Sequence, residues 1–180
     1  MRLRNIFDMK KCIILIVMVL AFAASSHAQS VAKAKAMLTL NFIRYVGWSD
    51  AARQGDFVIG VIKDKEIADW LKTQSAGKKF GFQTVVIKEF KTVDELQDCQ
   101  VVYVSSNVNY SRNAEAIAAK TKNKDTLIIT ETEGATKNGS MINFVVREER
   151  LKFELHKKNA ADSNIQFSAK LEQMTAAINL

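Results

Sequence analysis

Residues 138–155, with the sequence NGSMINFVVREERLKFEL, decide how the fold of this chain ends. Gly139 and Ser140 precede an apolar run, as they would in a phosphate-binding loop or in the turn that opens a β-hairpin. A phosphate loop leads into the N-terminus of a helix, where free backbone N–H groups face the anion. Here the glycine leads into the apolar residues 141–146, which read as a strand. Residues 151–155 alternate between apolar and charged, as in a strand with one face in water, and only a few charged residues separate the two segments. We therefore predict that Gly139 is a turn residue and that residues 141–146 and 151–155 form an antiparallel hairpin.

Segments of alternating type precede this hairpin. Apolar and β-branched runs predict strands, and the stretches between them predict helices, the first capped by Asp64. The predicted fold class is therefore α/β, with a mixed sheet of about six strands, largely parallel with a C-terminal antiparallel hairpin, and with helices on both faces. Several strand orders satisfy this pattern. The predicted strands before the hairpin are residues 57–62, 84–87, 101–104 and 126–130, and the predicted helices are residues 65–71, 93–96 and 114–120.

Two further helices flank this core, and the first is apolar on more than one side. Residues 31–46 predict a helix that ends at Gly47, and a last amphipathic helix carries Leu171, Met174 and Ile178. One apolar stripe of the first helix is predicted to face the sheet, and a second set of residues lies off that stripe. We predict that a second copy in a homodimer, or a membrane partner, covers this second set. The alternative is that the last helix covers it within one chain. The stripe comprises Ala34, Leu38, Phe42 and Tyr45, and the predicted partner or dimer surface comprises Met37, Leu40, Ile43 and Trp48.

The first residues have the pattern of a secretory signal peptide. A basic start is followed by the apolar residues 12–24 and by Ser26-His27-Ala28, which places small residues where signal peptidase cleaves. The alternative is a retained membrane anchor, but the apolar run is shorter than the roughly 20 residues that span a bilayer. We expect residues 1–28 to be the signal peptide, residues 29–180 to form a single domain, and the protein to be periplasmic.

The remaining residues indicate no catalytic chemistry. Beyond the expected signal peptide the chain has one histidine, His156, and one cysteine, Cys99, which is expected to be a buried apolar residue. No histidine–cysteine cluster with zinc spacing occurs, so we predict no metal, no cofactor and no enzyme. The net charge of +7 is spread without basic runs interleaved with aromatic residues, so no nucleic-acid partner is predicted.

Polar residues follow several of the predicted strands. In open α/β sheets, ligands collect at the carboxyl ends of parallel strands. Hydroxyls, amides and carboxylates placed there could line a pocket for a small molecule. The alternative is that they are only caps and turn residues, which these residue types also favour. The predicted ligand-binding residues are Asp64, Ser105, Ser106, Asn107, Thr130 and Glu131.

Four stretches, taken in order, resemble the YfiR-like family of exported bacterial proteins over residues 32–175. They are residues 41–48 (NFIRYVGW), 98–105 (DCQVVYVS), 139–145 (GSMINFV) and 151–155 (LKFEL). The resemblance implies a non-catalytic periplasmic regulator that binds and modulates an inner-membrane diguanylate cyclase, in cyclic-di-GMP signalling, or a sensor kinase. The chain departs from the family pattern in its single cysteine after processing and in His156, where the family often has asparagine. The alternative function is a periplasmic small-molecule-binding module that uses the strand-end pocket.

Overall fold

A seven-stranded mixed sheet forms the centre of the molecule in the computed structural model, which describes residues 31–177. The strands follow the order β3-β4-β2-β5-β6-β7-β8, and a separate two-stranded sheet pairs β1 with β9. The strands are β1 Val46–Gly47, β2 Phe57–Ile62, β3 Lys79–Phe80, β4 Gln83–Phe90, β5 Val101–Val104, β6 Leu127–Thr130, β7 Ile142–Arg147, β8 Arg150–Leu155 and β9 Gln166–Phe167. The helices are α1 (residues 31–42), α2 Lys65–Ser75, α3 Tyr110–Thr121, α4 Lys157–Ala161 and α5 Ala169–Ala177.

The sheet is parallel from β4 to β7 and antiparallel at both ends, which confirms the predicted α/β class. Ile142 pairs with Leu155 and Arg147 with Arg150, so β7 and β8 form the predicted hairpin. Gly139 ends a 3-10 helix, Ala135–Asn138, with a φ of 98°, which is the left-handed turn conformation that glycine adopts at little cost. The sheet has seven strands, one more than predicted. The additional strand is β3, an antiparallel partner of β4, and with only two residues it is too short to produce a recognisable sequence pattern.

Residues 93–96 do not form the predicted helix. They belong to the irregular connection between β4 and β5, where the amide of Leu96 donates to the carbonyl of Val93 at 3.1 Å in a single turn. Val93 and Leu96 are both buried, so their apolar character reflects the core and not a helix face. A segment this short cannot offset the cost of helix nucleation without tertiary contacts that favour the helical form.

The crossovers place helices on both faces of the sheet. The connection from β2 through α2 to β4 moves toward one edge, and that from β5 through α3 to β6 moves toward the other. Because such connections are right-handed, α2 and α3 lie on opposite faces. Asp64 caps α2 as predicted, since its Oδ1 accepts the backbone N–H of Ile67 at 3.0 Å.

The first helix buries a different face from the predicted one. Its buried residues are Ala32, Ala36, Thr39 and Phe42, whereas Ala34, Leu38 and Tyr45 of the predicted stripe are only partly buried. Three of these four residues have small side chains. The ring of Phe42 then packs against Phe144 in β7, at 5.7 Å between centroids, and against Phe153 in β8, at 4.6 Å.

Two residues of the predicted partner surface lie in the core instead. Ile43 is 3% exposed, and Trp48 is 6% exposed. The Trp48 indole donates to the carbonyl of Ile43 at 3.2 Å and meets the ring of Phe57 edge-on at 5.2 Å. The pattern of the sequence missed this because the chain turns inward after α1. Met37 and Leu40 are the accessible part of the predicted surface.

The last helix packs on β8, with Leu171 fully buried and Met174 partly buried. It therefore covers the β8 side of the sheet and does not line the region around Met37 and Leu40. Ile178 and the expected signal peptide, residues 1–28, lie outside the described residues. Within residues 31–177, none of the helices is both long and apolar enough to cross a bilayer.

Candidate functional site

A buried ion pair lies at the carboxyl ends of the parallel strands. Glu131 follows β6 with a side chain only 7% exposed, and its Oε2 lies 2.6 Å from Nζ of Lys35 in α1. Its Oε1 accepts a hydrogen bond from the hydroxyl of Tyr103 in β5. Burial, and then the negative charge of Glu131, raise the pKa of Tyr103 well above its ordinary value. The phenol therefore stays protonated and serves as a permanent donor to the carboxylate.

Asp64 extends this group from the end of β2. Its burial, with a smaller contribution from the charge of Glu131, raises its pKa above the ordinary value of 3.8. The cap bond to the backbone of Ile67 and the charge of Lys35 act in the opposite direction. Lys35, Asp64, Tyr103 and Glu131 form one electrostatic unit, which we call the strand-end cluster. Within it, one cation faces two carboxylates.

The serines after β5 hold the neighbouring turn. The buried hydroxyl of Ser105 donates to the carbonyl of Lys63 at 3.2 Å and accepts the backbone N–H of Asn107 at 3.2 Å. The side-chain amide of Asn107 also donates to the carbonyl of Lys63, at 3.4 Å. Ser106 is exposed. These contacts tie the end of β5 to the end of β2, which is the cap-and-turn role that we considered as the alternative to a pocket.

Thr130 points away from the strand-end cluster. Successive strand residues face opposite sides of a sheet, so Thr130 and Glu131 diverge. The buried Thr130 hydroxyl lies 2.7 Å from Oγ of Ser140 and donates to Oδ1 of Asn143 at 2.7 Å. Of the predicted pocket residues, the structure therefore brings together Asp64 and Glu131, and it uses most of the others in internal hydrogen bonds.

An opening lies elsewhere, between α1, the end of α2 and the β3–β4 edge of the sheet. It is a groove with a cavity of about 320 Å³, adjoined by a second cavity of about 280 Å³ that shares Ser75, Lys78, Lys79 and Val85 with it. We call the two together the edge groove. The larger cavity is lined by Met37, Leu38, Leu40, Asn41, Ile43, Arg44, Gln74, Ser75, Lys78, Lys79, Phe80 and Val85.

The edge groove has apolar walls and a basic rim. In the larger cavity, aliphatic side chains from α1 face Phe80 and Val85, and three cations, Arg44, Lys78 and Lys79, stand among the lining residues without a carboxylate. All three are exposed. Among the described residues, none of these cations has a carboxylate oxygen within 4.0 Å. The groove therefore combines an apolar surface with uncompensated positive charge.

Two exposed apolar side chains belong to elements that form the edge groove. Met37 is 50% exposed on the wall formed by α1, and Phe82 is 101% exposed in the turn between β3 and β4. Gly81 supplies the positive φ of 59° for that two-residue turn. Scattered apolar residues are ordinary on protein surfaces, but a fully exposed phenylalanine beside an apolar groove is typical of an interaction surface. Met37 and Phe82 together form what we call the groove ridge.

The single histidine and the single cysteine of the described residues have structural roles. His156 caps α4, where its Nδ1 accepts the backbone N–H of Asn159 at 3.2 Å. Burial raises the pKa of the Cys99 thiol to about 12, so it is protonated and unreactive at neutral pH. Within residues 31–177, no group of three or more histidine, cysteine, aspartate or glutamate side chains is placed to hold a metal ion.

Sequence reasoning missed Lys35, Tyr103 and the edge groove. Lys35 lies 96 positions before its partner Glu131, and no local pattern links them. The groove depends on the short hairpin of β3 and β4, which the strand predictions did not include. A usable signal was Gly81, because a glycine at the first central position of a two-residue loop is typical of a β-hairpin turn.

Comparison with known proteins places the whole described fold in one family. A family model described as YfiR/HmsC-like matches residues 32–175, from the start of α1 to within α5. No curated protein matches the chain.

Proposed function

Because the chain belongs to the YfiR/HmsC-like family, we propose that it is an exported, non-catalytic regulator that binds and modulates a signalling protein of the inner membrane. The family resemblance supports the regulatory role and the periplasmic location. The structural roles of His156 and Cys99 agree with a function that does not depend on a nucleophile or a general base.

The groove ridge is the surface that we assign to the partner. The observation that carries this assignment is the pairing of two exposed apolar side chains, Met37 and Phe82, with the unpaired cations Lys78 and Lys79. Interfaces bury aromatic and methionine side chains at their centre and arrange charges in complementary pairs at their rim. The matching segment of the partner is therefore apolar with acidic flanks, and it belongs to the exported part of a membrane protein.

Site-specific photocrosslinking in living cells tests this assignment. A photoreactive phenylalanine analogue at Phe82 is expected to crosslink to an inner-membrane signalling protein. The matched control is the same analogue at Val146, which is 62% exposed in β7 near the opposite edge of the sheet. Crosslinks to the same membrane protein from both positions would show that the groove ridge is not the specific contact, and none from either position would contradict the proposed partner.

The partner class is decided by a second measurement. If the partner is a diguanylate cyclase, deletion of the regulator is expected to change cellular cyclic-di-GMP, and Phe82→Ser should reproduce the effect of the deletion. If the partner is a sensor kinase, cyclic-di-GMP stays constant and phosphorylation of the kinase changes instead. Normal signalling through both routes in the deletion strain would argue against a regulatory role.

We also propose that the free protein forms a homodimer through the same surface. Met37 is half exposed, so a charge there is compatible with folding and incompatible with an apolar contact. Met37→Glu is expected to convert a dimer into a monomer in sedimentation velocity. Val146→Glu serves as the control. A wild type that is monomeric at high concentration would refute the dimer and leave the groove ridge free for the partner.

A further inference from the structure

We infer that the edge groove binds a small anionic amphiphile, that is, a molecule with an apolar body and a single acidic head group. The larger cavity, about 320 Å³, lies at the lower end of the range of about 300–1,000 Å³ that is common for small-molecule sites. The adjoining cavity of about 280 Å³ continues it along β4. The ligand therefore has room for an extended body.

The walls select the apolar part of the ligand. Leu38, Leu40 and Phe80 line the groove while also packing against the core, so this surface is formed before a ligand enters. Most small-molecule sites have this character, with mainly apolar walls and a few polar groups that fix the orientation. The residues that could hydrogen-bond to a head group are Asn41, Gln74 and Ser75.

The rim selects the charge. Arg44 follows α1, and Lys78 and Lys79 follow α2, so the cations converge on the groove from two elements. The lining includes no carboxylate that would neutralise them. A cationic or zwitterionic amphiphile would gain less from this rim than an anionic one. A carboxylate, sulfonate or phosphate head group has the required charge and acceptor oxygens.

A matched pair of probes tests the inference on the purified protein. Anilinonaphthalene sulfonate and phenylnaphthylamine share their aromatic rings and differ in the sulfonate, and both fluoresce in apolar sites. We expect saturable binding of one sulfonate probe per chain, about tenfold tighter than binding of the neutral probe. This ratio corresponds to about 1.4 kcal/mol, which exposed contacts with two cations can supply together.

The variant Lys78→Gln/Lys79→Gln is expected to abolish this preference and to leave the affinity for the neutral probe unchanged. Both lysines are exposed, so the fold is retained. The matched control is Lys122→Gln/Lys137→Gln, which removes the same charge at two exposed positions outside the groove lining. The variant Met37→Ser removes part of the wall and should weaken both probes equally.

Competition then separates the two sources of such a ligand. Displacement of the sulfonate probe by decanoate and not by naphthoate indicates a lipid-derived acid, and the reverse indicates an aromatic acid. Equal affinity for the charged and neutral probes would overturn the inference, as would an identical loss in the test and control lysine variants. A stable dimer that excludes both probes would show that a second copy occupies the groove and would also overturn it.

A regulatory role for this ligand rests on the proposed function, because it requires that the protein binds a signalling partner. Met37 of the groove ridge also lines the groove, so an amphiphile bound there would change the affinity for the partner by the same factor by which the partner changes the affinity for the amphiphile. The ligand-binding proposal and the partner-binding proposal can be refuted independently of each other. Probe binding is measured without a partner, and the crosslink from Phe82 is measured without an added ligand.

Discussion

Removal of the cation in the strand-end cluster should destabilise the fold strongly. Lys35→Met keeps the length of the side chain and deletes the charge that lies 2.6 Å from Oε2 of Glu131. The carboxylate is only 7% exposed, and it would then retain Tyr103 as a donor and Asp64 as a negative neighbour. The variant leaves a buried charge without its counterion, which is more costly than the loss of an exposed ion pair.

The size of the effect follows from burial. Breaking a buried pair by removing one partner costs about 3–5 kcal/mol. Because the Lys35 side chain is 17% exposed, some water reaches the carboxylate, and we expect the lower end, about 3 kcal/mol. For a domain of this size, that loss lowers Tm by roughly 6–12 °C.

The reverse change should cost less. In Glu131→Gln the long side chain of Lys35 can move its charge toward water, so we expect a loss of about 1–2 kcal/mol. The double variant Lys35→Met/Glu131→Gln should be at least as stable as Lys35→Met alone, with a coupling energy of about 2 kcal/mol. Urea unfolding followed by tryptophan fluorescence measures all four proteins. Losses that simply add, or a Lys35→Met variant as stable as the wild type, would refute the view that this ion pair holds α1 on the sheet.

Three further predictions concern substitutions at single positions that are buried or partly buried. The hydroxyl of Thr39 is buried in α1 and has no hydrogen-bond partner among the described residues, so Thr39→Val should stabilise the domain by about 1 kcal/mol in urea unfolding, and a loss of stability would contradict this. A Cβ at Gly60 would lie 2.7 Å from a ring carbon of the buried Phe90, so Gly60→Ala should cost about 1–3 kcal/mol, and the added change Phe90→Leu should recover part of it. Because the pKa of Asp64 is raised in the folded state, its ionised form weakens stability above that pKa and the penalty disappears as the pH falls toward 3.8. Asp64→Asn keeps the helix cap and should raise Tm at neutral pH, with a gain that shrinks in acid, and a constant difference between pH 4 and pH 7 would contradict this interpretation.

The sheet could be predicted where apolar sequence and local structure agree. Residues 101–104 are predicted as a strand and form β5, because a strand buried on both faces requires a continuous apolar run. The hairpin after Gly139 and the cap at Asp64 were also correct, since glycine conformation and N-cap chemistry act over a few residues. These features depend on interactions between residues that are close in the sequence, so a single sequence is enough to predict them.

The faces of α1 could not be predicted in the same way. Periodicity counts large apolar side chains, but the buried face of α1 consists mainly of small ones, Ala32, Ala36 and Thr39. The buried face therefore does not stand out in the pattern of large apolar residues. Ile43 and Trp48 were assigned to a surface for a different reason, because the chain turns after the helix and carries both into the core.

The packing of α1 also sets the order in which the molecule can fold. The first helix buries Phe42 against Phe144 and Phe153, which lie near the other end of the chain, and β1 pairs with β9 across a similar separation. Contacts between distant parts of a chain form late, because the loop that joins them must close first. A nascent chain therefore has its first helix undocked until β8 has been synthesised.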